Sequence, residues 1–292
     1  MSAALQFLQA TVGPMVLIFT VSNLAAMGLK VDIPEVVVAS RNKKAMALIF
    51  LWGWVLGPAL GYLITWALPL AEPYKVVVLL ASLAPCAPFL QQMVGRARGD
   101  MAFAGALIPL VAVGTVVLMP LLAPLLVKGV TISAWSLAKP LLLTILLPLM
   151  IGAAIRYYAD TAATRMFPAI KGLAVVSTLL TTVWCLVIYG RAMLDTAGEL
   201  AFLSATLFMV GMGLMTYNFS FGLKQNQRSI MALGLSTLNG AALFAATTAI
   251  PNADSRIGAM TIIWIVWSIP LAAIGAKIFA KLAGEIDAGA EA

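Results

Sequence analysis

The sequence predicts an all-α, polytopic membrane protein with about nine transmembrane helices. Of its 292 residues, 62% are hydrophobic and only 10% are charged, and the mean hydropathy is +1.03. A soluble domain has roughly 45–50% apolar and about 25% charged residues. Apolar runs that are long enough to cross a bilayer, about 20 residues each, also recur along the whole chain. The lipid bilayer is therefore the predicted surrounding of most of the protein.

Short breaks that contain charged residues, proline or glycine separate these runs. The longest break, KVDIPEVVVASRNKK, has about 15 residues, so neither face of the membrane has room for a soluble catalytic domain. The last residues, GEIDAGAEA at 284–292, are small and acidic and predict a disordered tail. The predicted spans are 9–29, 45–71, 74–94, 101–127, 134–157, 167–190, 197–222, 228–250 and 257–283.

The lysines and arginines predict the orientation of the chain. Thirteen of the 18 lie in breaks on one side of the membrane and five on the other, and cytoplasmic loops are enriched in these residues. An odd number of spans then puts the N-terminus outside and the C-terminus in the cytoplasm, with the protein in the cell inner membrane. Because the basic residues do not alternate with aromatic residues in one patch, the net charge of +7 does not indicate nucleic-acid binding. The first run has no basic leader or cleavage pattern, so we expect it to be a retained span.

Two spans contain helix-breaking and polar residues where lipid would favour leucine. In LAPCAPFLQQMVGRARGD of the third span, Pro85 and Pro88 precede Gln91 and Gln92. The corresponding residues in the middle of the eighth span are Gly234, Ser236, Thr237, Asn239 and Gly240. Freed backbone groups are tolerated at membrane depth only against protein or a water-filled cavity. Both interrupted spans should therefore face the protein interior.

The third and eighth spans are five crossings apart, so they traverse the membrane in opposite directions. This is the arrangement of an inverted repeat, in which two discontinuous helices meet near the midplane and direct their half-helix ends at a solute. The alternative is that the prolines and small residues only allow close helix packing. Two further amides are Asn23 and Asn218; we interpret Asn218 as interhelical packing and leave both interpretations open for Asn23.

The residues needed for catalysis or tight metal binding are missing from the apolar runs. The sequence has no histidine, and its two cysteines, Cys86 and Cys185, are far apart. The 11 acidic residues lie in breaks, at span ends or in the tail, Asp100 being the closest to a helix interior. No catalytic dyad or triad can be assembled from this set, so we predict neither an enzyme nor a bound cofactor.

Four segments carry a resemblance to a known family. They are FTVSNLAAMGLKV, LAPCAPFLQQMVGRARGD, MPLLAPLL and QRSIMALGLSTLNGAALFAA, and in order and spacing they resemble the bile acid:sodium symporter family over about residues 12 to 280. The resemblance implies a panel domain and a core domain with two broken helices that cross in the core. The panel would contain the spans near 9–29, 134–157 and 167–190, and the core those within 45–127 and 197–283.

The resemblance also indicates which positions would hold sodium. The family's Ser-Asn sodium ligands correspond to Leu90 and Gln91, and its sodium-binding glutamate corresponds to Gly234. The hydroxyl residues that follow on the next helix correspond to Ala104 and Ile108. Only the amides Gln91 and Asn239 stay comparable as sodium candidates. Because the carboxylate and two hydroxyls are missing, a cation would be short of oxygen ligands, which predicts weak or absent sodium coupling.

We therefore predict a secondary-active carrier of a small organic solute, an organic anion, that works by alternating access. Its coupling is to one weakly held cation, with Na⁺ as a candidate, or is absent. A non-transporting membrane sensor or assembly subunit that retains the transporter fold is the competing class. An intramembrane enzyme is a third, less favoured class. The predicted solute-binding residues are Asn23, Gln91, Gln92, Ser236, Thr237, Asn239 and Ser268.

Overall fold

The computed structural model describes residues 3–127, 133–195, 200–251 and 253–290. These residues form twelve helices joined by short turns. In chain order they are α1 Ala3–Gly28, α2 Ile33–Ser40, α3 Lys43–Ala67, α4 Glu72–Ser82, α5 Leu90–Val94, α6 Met101–Leu126, α7 Ala134–Tyr158, α8 Asp160–Asp195, α9 Ala201–Phe219, α10 Gln225–Ser236, α11 Gly240–Thr248 and α12 Ser255–Ala290.

Seven helices of the described chain are long and apolar enough to cross a membrane, namely α1, α3, α6, α7, α8, α9 and α12. The other two predicted spans, 74–94 and 228–250, are each divided into two shorter helices, α4 with α5 and α10 with α11. The longer halves, α4 and α10, have 11 and 12 residues, whereas a bilayer needs about 20. The prediction of an all-helical, multi-pass membrane protein is confirmed, and both of the spans predicted to be interrupted are interrupted.

Two of the long helices contain a π-helical segment just before a proline. In α3 the N–H of Gly57 donates to the carbonyl of Trp52, five residues back, and Pro58 follows. The same arrangement recurs in α7, where the segment Leu142–Leu146 comes shortly before Pro148. Proline has no N–H and its ring presses on the preceding turn. The wider π turn lets both helices continue past their prolines.

Helix α1 packs against α7 and α8. Its contact with α7 is made by two glycines, since a Cβ atom added to Gly152 would lie 2.9 Å from the Cα of Gly28. Small residues of this kind let two helix backbones approach closely within a membrane. The contact with α8 includes a hydrogen bond of 3.0 Å between the hydroxyls of Ser22 and Ser177. The three helices thus form one packed group, and they are the spans that the family resemblance assigns to the panel.

Two segments differ from the sequence prediction. The break predicted as a loop between the first two spans contains α2, whose second residue is Pro34, and proline is favoured at the start of a helix because its fixed φ suits the first turn. The tail predicted to be disordered at 284–292 is instead helical as far as Ala290, and residues 291–292 lie outside the described residues. Alanine and glutamate, which make up much of this tail, are strong helix formers.

Candidate functional site

The breaks in the two interrupted spans pair with each other through their backbones. Pro85 and Leu238 form an antiparallel bridge. The N–H of Cys86 donates to the carbonyl of Thr237 at 2.8 Å, and the N–H of Asn239 donates to the carbonyl of Ala84 at 2.7 Å. Backbone groups freed by the breaks therefore satisfy one another, as the absence of water at membrane depth requires. The two interrupted spans meet at their breaks.

Local sequence explains why each span breaks where it does. Helix α4 ends at Ser82, and Pro85 and Pro88 keep the chain extended because proline cannot donate to a preceding turn. Between them Cys86 has a φ of +71°, a left-handed conformation that costs a non-glycine residue on the order of 1–3 kcal/mol. The pairing with the opposite break holds this residue in place.

The second break is organised by two side chains. The hydroxyl of Thr237 lies 2.9 Å from the carbonyl oxygen of Leu233, to which it donates, and accepts a hydrogen bond of 3.2 Å from the N–H of Ala87 in the other break. Asn239 is 1% exposed, and its Oδ1 accepts from the N–H of Ala242 at 3.2 Å, which caps the start of α11. Asparagine is among the strongest N-cap residues because its side chain satisfies one of the free N–H groups of the first turn.

A cavity of about 510 Å³ lies directly against the first break. One wall is formed by Pro88, Gln91 and Gln92 of the third span, and the opposite wall by α1 and α8. Gln91 is half-buried and Gln92 is exposed in this cavity. Its volume is typical of a small-molecule site, which ranges from about 300 to 1,000 Å³. The cavity thus separates the α1–α7–α8 group from the interrupted third span.

Asn23 reaches the same cavity from α1 but also joins helices. It is 5% exposed, and its Nδ2 donates to the carbonyl of Phe19 at 2.8 Å and to the hydroxyl of Thr178 in α8 at 3.1 Å. Asn23 therefore ties α1 to α8 and also lines the cavity wall, and its contact with a solute stays a prediction.

Three basic side chains line this cavity, and the lining contains no acidic residue. They are Lys30 at the end of α1, Arg96 after α5 and Lys171 in α8. The Nζ of Lys30 lies 4.5 Å from the ring centroid of Phe167, and the Nζ of Lys171 lies 5.8 Å from the same centroid. An aromatic face stabilises a nearby cation. The cavity therefore presents amides and positive charge together.

The other predicted site residues do not reach this cavity. Ser236, Thr237 and Ser268 line a second, smaller cavity of about 160 Å³ between α9, α10 and α12, whose remaining walls are almost entirely apolar. The hydroxyl of Ser268 donates to the carbonyl of Ile265 in its own helix at 2.7 Å. Asn239 lines neither cavity and acts as the cap of α11. The residues predicted as one site are therefore distributed over three places.

Asn218 differs from its predicted packing role. Its side chain is exposed, and Nδ2 donates to the carbonyl of Leu214 within its own helix at 2.7 Å. An amide side chain can hydrogen-bond to the preceding turn of its own helix in this way. Between helices, the described residues show only the backbone carbonyl of Asn218 accepting a hydrogen bond, from Arg228 of α10 at 3.4 Å.

Two positions that the family resemblance assigns to sodium ligands, Leu90 and Gly234, lie side by side among aliphatic side chains. A Cβ atom added to Gly234 would lie 3.0 Å from Cδ2 of Leu107 and 3.2 Å from Cδ2 of Leu90. Leu90, Leu107, Ala104 and Ile108 are all at most 2% exposed. Sodium requires oxygen ligands, and these side chains supply none. The space beside Gly234 is occupied by hydrocarbon.

Sequence reasoning missed the basic residues and Phe167 as site residues. It interpreted Lys30, Arg96 and Lys171 only as determinants of orientation. A usable signal was present for Lys171, which falls inside the predicted span 167–190 and one helical turn after Phe167, where a purely topological lysine is unexpected.

Seven membrane-length helices and two interrupted spans that pair at their breaks define a multi-pass integral membrane protein. Residues 15–196 match the Sodium Bile acid symporter family, so the chain belongs to that family, and the predicted resemblance is confirmed. This is a family of transporters and not of enzymes, which also confirms the prediction that the protein is not an enzyme. The match includes the first interrupted span, whereas the second lies beyond it.

A curated relative is the "Probable sodium/metabolite cotransporter BASS3, chloroplastic" of Arabidopsis thaliana. It is 23% identical to this chain over 158 residues, which are 54% of the chain. The matched region spans only 37% of the relative's length.

Proposed function

We propose that the protein is a secondary-active carrier of a small organic anion that works by alternating access. The observation that carries this proposal is the cavity against the first break, where three amides and three basic side chains meet without an acidic residue. Membership in a family of symporters supports transport as the activity. The cotransporter name of the Arabidopsis relative supports a metabolite as the solute.

The boundary on which the cavity lies suggests how the solute is moved. Gln91, Gln92 and Arg96 belong to the interrupted third span and its end, while Lys30 and Lys171 belong to the packed α1–α7–α8 group. An anion bound between these walls contacts both of them. Movement of the core helices relative to the α1–α7–α8 panel then exposes the bound anion to the opposite side of the membrane.

The crossing pair supports an inverted repeat. If each interrupted span completes one crossing, the chain crosses nine times, and the third and eighth spans run in opposite directions. The antiparallel bridge between Pro85 and Leu238 agrees with this direction. The distribution of basic residues then puts the N-terminus outside, the C-terminus in the cytoplasm, and Lys30, Arg96 and Lys171 on the cytoplasmic side of the cell inner membrane.

Transport in this proposal does not depend on sodium at the family position. The space beside Gly234 is filled by Leu90 and Leu107, and neither can replace a hydration shell. The negative charge of the solute is instead balanced by the basic side chains of the cavity, Lys30, Arg96 and Lys171.

The filled cluster is also the one observation that favours a non-transporting sensor or assembly subunit. A protein that had lost transport would have no need of ion ligands. The same protein would have no need of the basic, amide-lined cavity either, and so we favour the carrier.

Uptake of radiolabelled organic acids into proteoliposomes tests the proposal. We expect uptake to change less than tenfold when sodium is replaced by potassium or choline, which corresponds to a coupling below about 1.4 kcal/mol. Steep, sigmoidal sodium dependence would contradict the sodium argument, and the absence of uptake for every acid would favour the non-transporting alternative.

Gln91→Leu is the matching site variant. We expect a folded protein with reduced uptake, because the leucine removes amide hydrogen bonds worth roughly 0.5–1.5 kcal/mol each and is well tolerated near lipid. Asn218→Leu, which replaces an exposed amide outside the cavity, is the control and should transport normally. Normal uptake by Gln91→Leu, or a loss of melting temperature that accounts for its loss of uptake, would remove Gln91 from the site.

A further inference from the structure

Resting on the proposed function, we propose that the solute is an organic dianion whose two anionic groups are held at separate positions in the 510 Å³ cavity. The first position lies between the ammonium groups of Lys30 and Lys171. The second lies at the guanidinium of Arg96 and the amides of Gln91 and Gln92.

The first position is organised around Phe167. The ammonium nitrogens of Lys30 and Lys171 lie 4.5 and 5.8 Å from its ring centroid, so one ring gathers two cations that come from different helices. Both ammonium groups therefore lie beside the same ring and line the same cavity, and like charges in one cavity repel each other. A carboxylate or phosphate placed between them removes that repulsion and accepts hydrogen bonds from both.

The second position is on the opposite wall. Arg96 follows α5, and its Nη1 has a weak contact with the sulfur of Met93 at 4.0 Å. A guanidinium binds a carboxylate with two parallel hydrogen bonds. Gln91 and Gln92, on the same wall, supply amide N–H groups to the same anionic group.

The charge of the cavity decides between a monoanion and a dianion. Among the described residues, ion pairs join Lys75 to Glu72, Arg156 to Asp160 and Arg256 to Asp254, and none of these three involves a basic residue of the cavity. At the last of these pairs the hydrogen bonds from Arg256 hold the pKa of Asp254 below its ordinary value. The cavity cations have no comparable partner in their lining. A monoanion would leave two of the three positive charges without compensation, whereas a dianion compensates two and bridges both walls.

Binding to the purified full-length protein tests the charge number of the solute. The thermal shift is measured with dicarboxylates, succinate and glutarate, and with monocarboxylates of the same length, butyrate and valerate. We expect at least tenfold tighter binding of the dicarboxylates, a difference of about 1.4 kcal/mol. Lys171→Gln and Arg96→Gln should each reduce that preference to less than about threefold, a residual difference below roughly 0.7 kcal/mol. Lys277→Gln, an exposed lysine outside the cavity, should keep the preference.

The outcomes separate this inference from the proposed function. If dicarboxylates and monocarboxylates bind equally and either is taken up, the proposal of a dianionic solute is wrong and the proposed carrier function stands. If neither series binds or is taken up, the result contradicts the proposed carrier function itself. A phosphate of an anionic lipid could also occupy such a site, so the same variants are reconstituted in vesicles of phosphatidylcholine with and without phosphatidylglycerol. The proposal is overturned if phosphatidylglycerol stabilises the protein, if Lys171→Gln and Arg96→Gln abolish this stabilisation, and if dicarboxylates have no effect. The cavity would then bind a lipid headgroup.

Discussion

The family resemblance of the sequence predicts that Gly234 stands where relatives carry a sodium-binding glutamate, and Gly234→Glu tests whether the surrounding side chains could hold an ion. The nearest side-chain atoms to a new Cβ would be the methyl carbons of Leu107 and Leu90, at 3.0 and 3.2 Å. Both leucines are fully buried, so they can move only by a few tenths of an ångström. The new carboxylate would then face hydrocarbon on its nearest sides.

The structure gives two separate costs for this substitution. Extra volume in a well-packed region costs about 1–3 kcal/mol. A charged side chain at the centre of a membrane helix costs about 2.5–3.5 kcal/mol more. We therefore expect Gly234→Glu to lose about 3.5–6.5 kcal/mol of stability. Gly234→Gln, which has nearly the same size and no charge, should lose only the first part.

The assay compares melting temperatures of the two variants in detergent, each in sodium chloride and in potassium chloride. We expect the glutamate variant to melt below the glutamine variant in both salts, with no difference between the salts. If sodium raised the melting temperature of Gly234→Glu alone, the reasoning would be refuted, because the cluster would then supply oxygen ligands that the aliphatic packing excludes.

Three other outcomes are expected from the fold. A reporter fused after Ala292 should be active in the cytoplasm and one fused at the N-terminus should be active outside, because 13 of the 18 basic residues lie on one side of the membrane. Reporters active on the opposite sides at both ends would contradict the nine crossings. Asn239→Ala should lower the melting temperature, because it removes the cap of α11 at a cost of about 1 kcal/mol. The control Asn218→Ala should leave the melting temperature unchanged. Equal melting temperatures of the two variants would show that the cap is dispensable. Gly152→Ala should destabilise the contact with Gly28 by about 1–3 kcal/mol. Gly172→Ala, where a Cβ would meet no atom within 4 Å, should not destabilise the protein, because alanine is a better helix former than glycine. A Gly152→Ala variant as stable as the wild type would mean that the helices separate freely.

The architecture could be predicted from sequence because membrane spans and their interruptions leave direct signals. Pro85 and Pro88 remove two backbone donors close together in an apolar run and are followed directly by the two amides Gln91 and Gln92, a combination that favours an interruption over a continuous lipid-facing helix. The matching break was visible as a group of small and polar residues around Thr237. Helix α2 was missed because its eight residues are too few to give a clear period beside the proline.

The site could be predicted only in part, because residue type does not report which way a side chain points. Gln91, Gln92 and Asn23 do share a cavity. Asn239, although equally polar, stands immediately before a helix, and this position makes an N-cap the local outcome. Lys30 was hidden because lysines near span ends also determine orientation, and only the fold brings it to Phe167, which Lys171 already neighbours in sequence.

The pairing of the two breaks has a consequence for how freely this part of the chain can vary. Its hydrogen bonds join the backbone N–H groups of Cys86 and Asn239 to backbone carbonyls, so they do not depend on which side chains these residues carry. These backbone hydrogen bonds can form with other side chains at Leu238, whereas proline at 86 or 239 would remove a donor. Because backbone groups hold the two breaks together, side chains near the bound solute can be substituted while the junction persists. The residues beside the breaks are therefore suitable positions for combinatorial libraries aimed at new solutes.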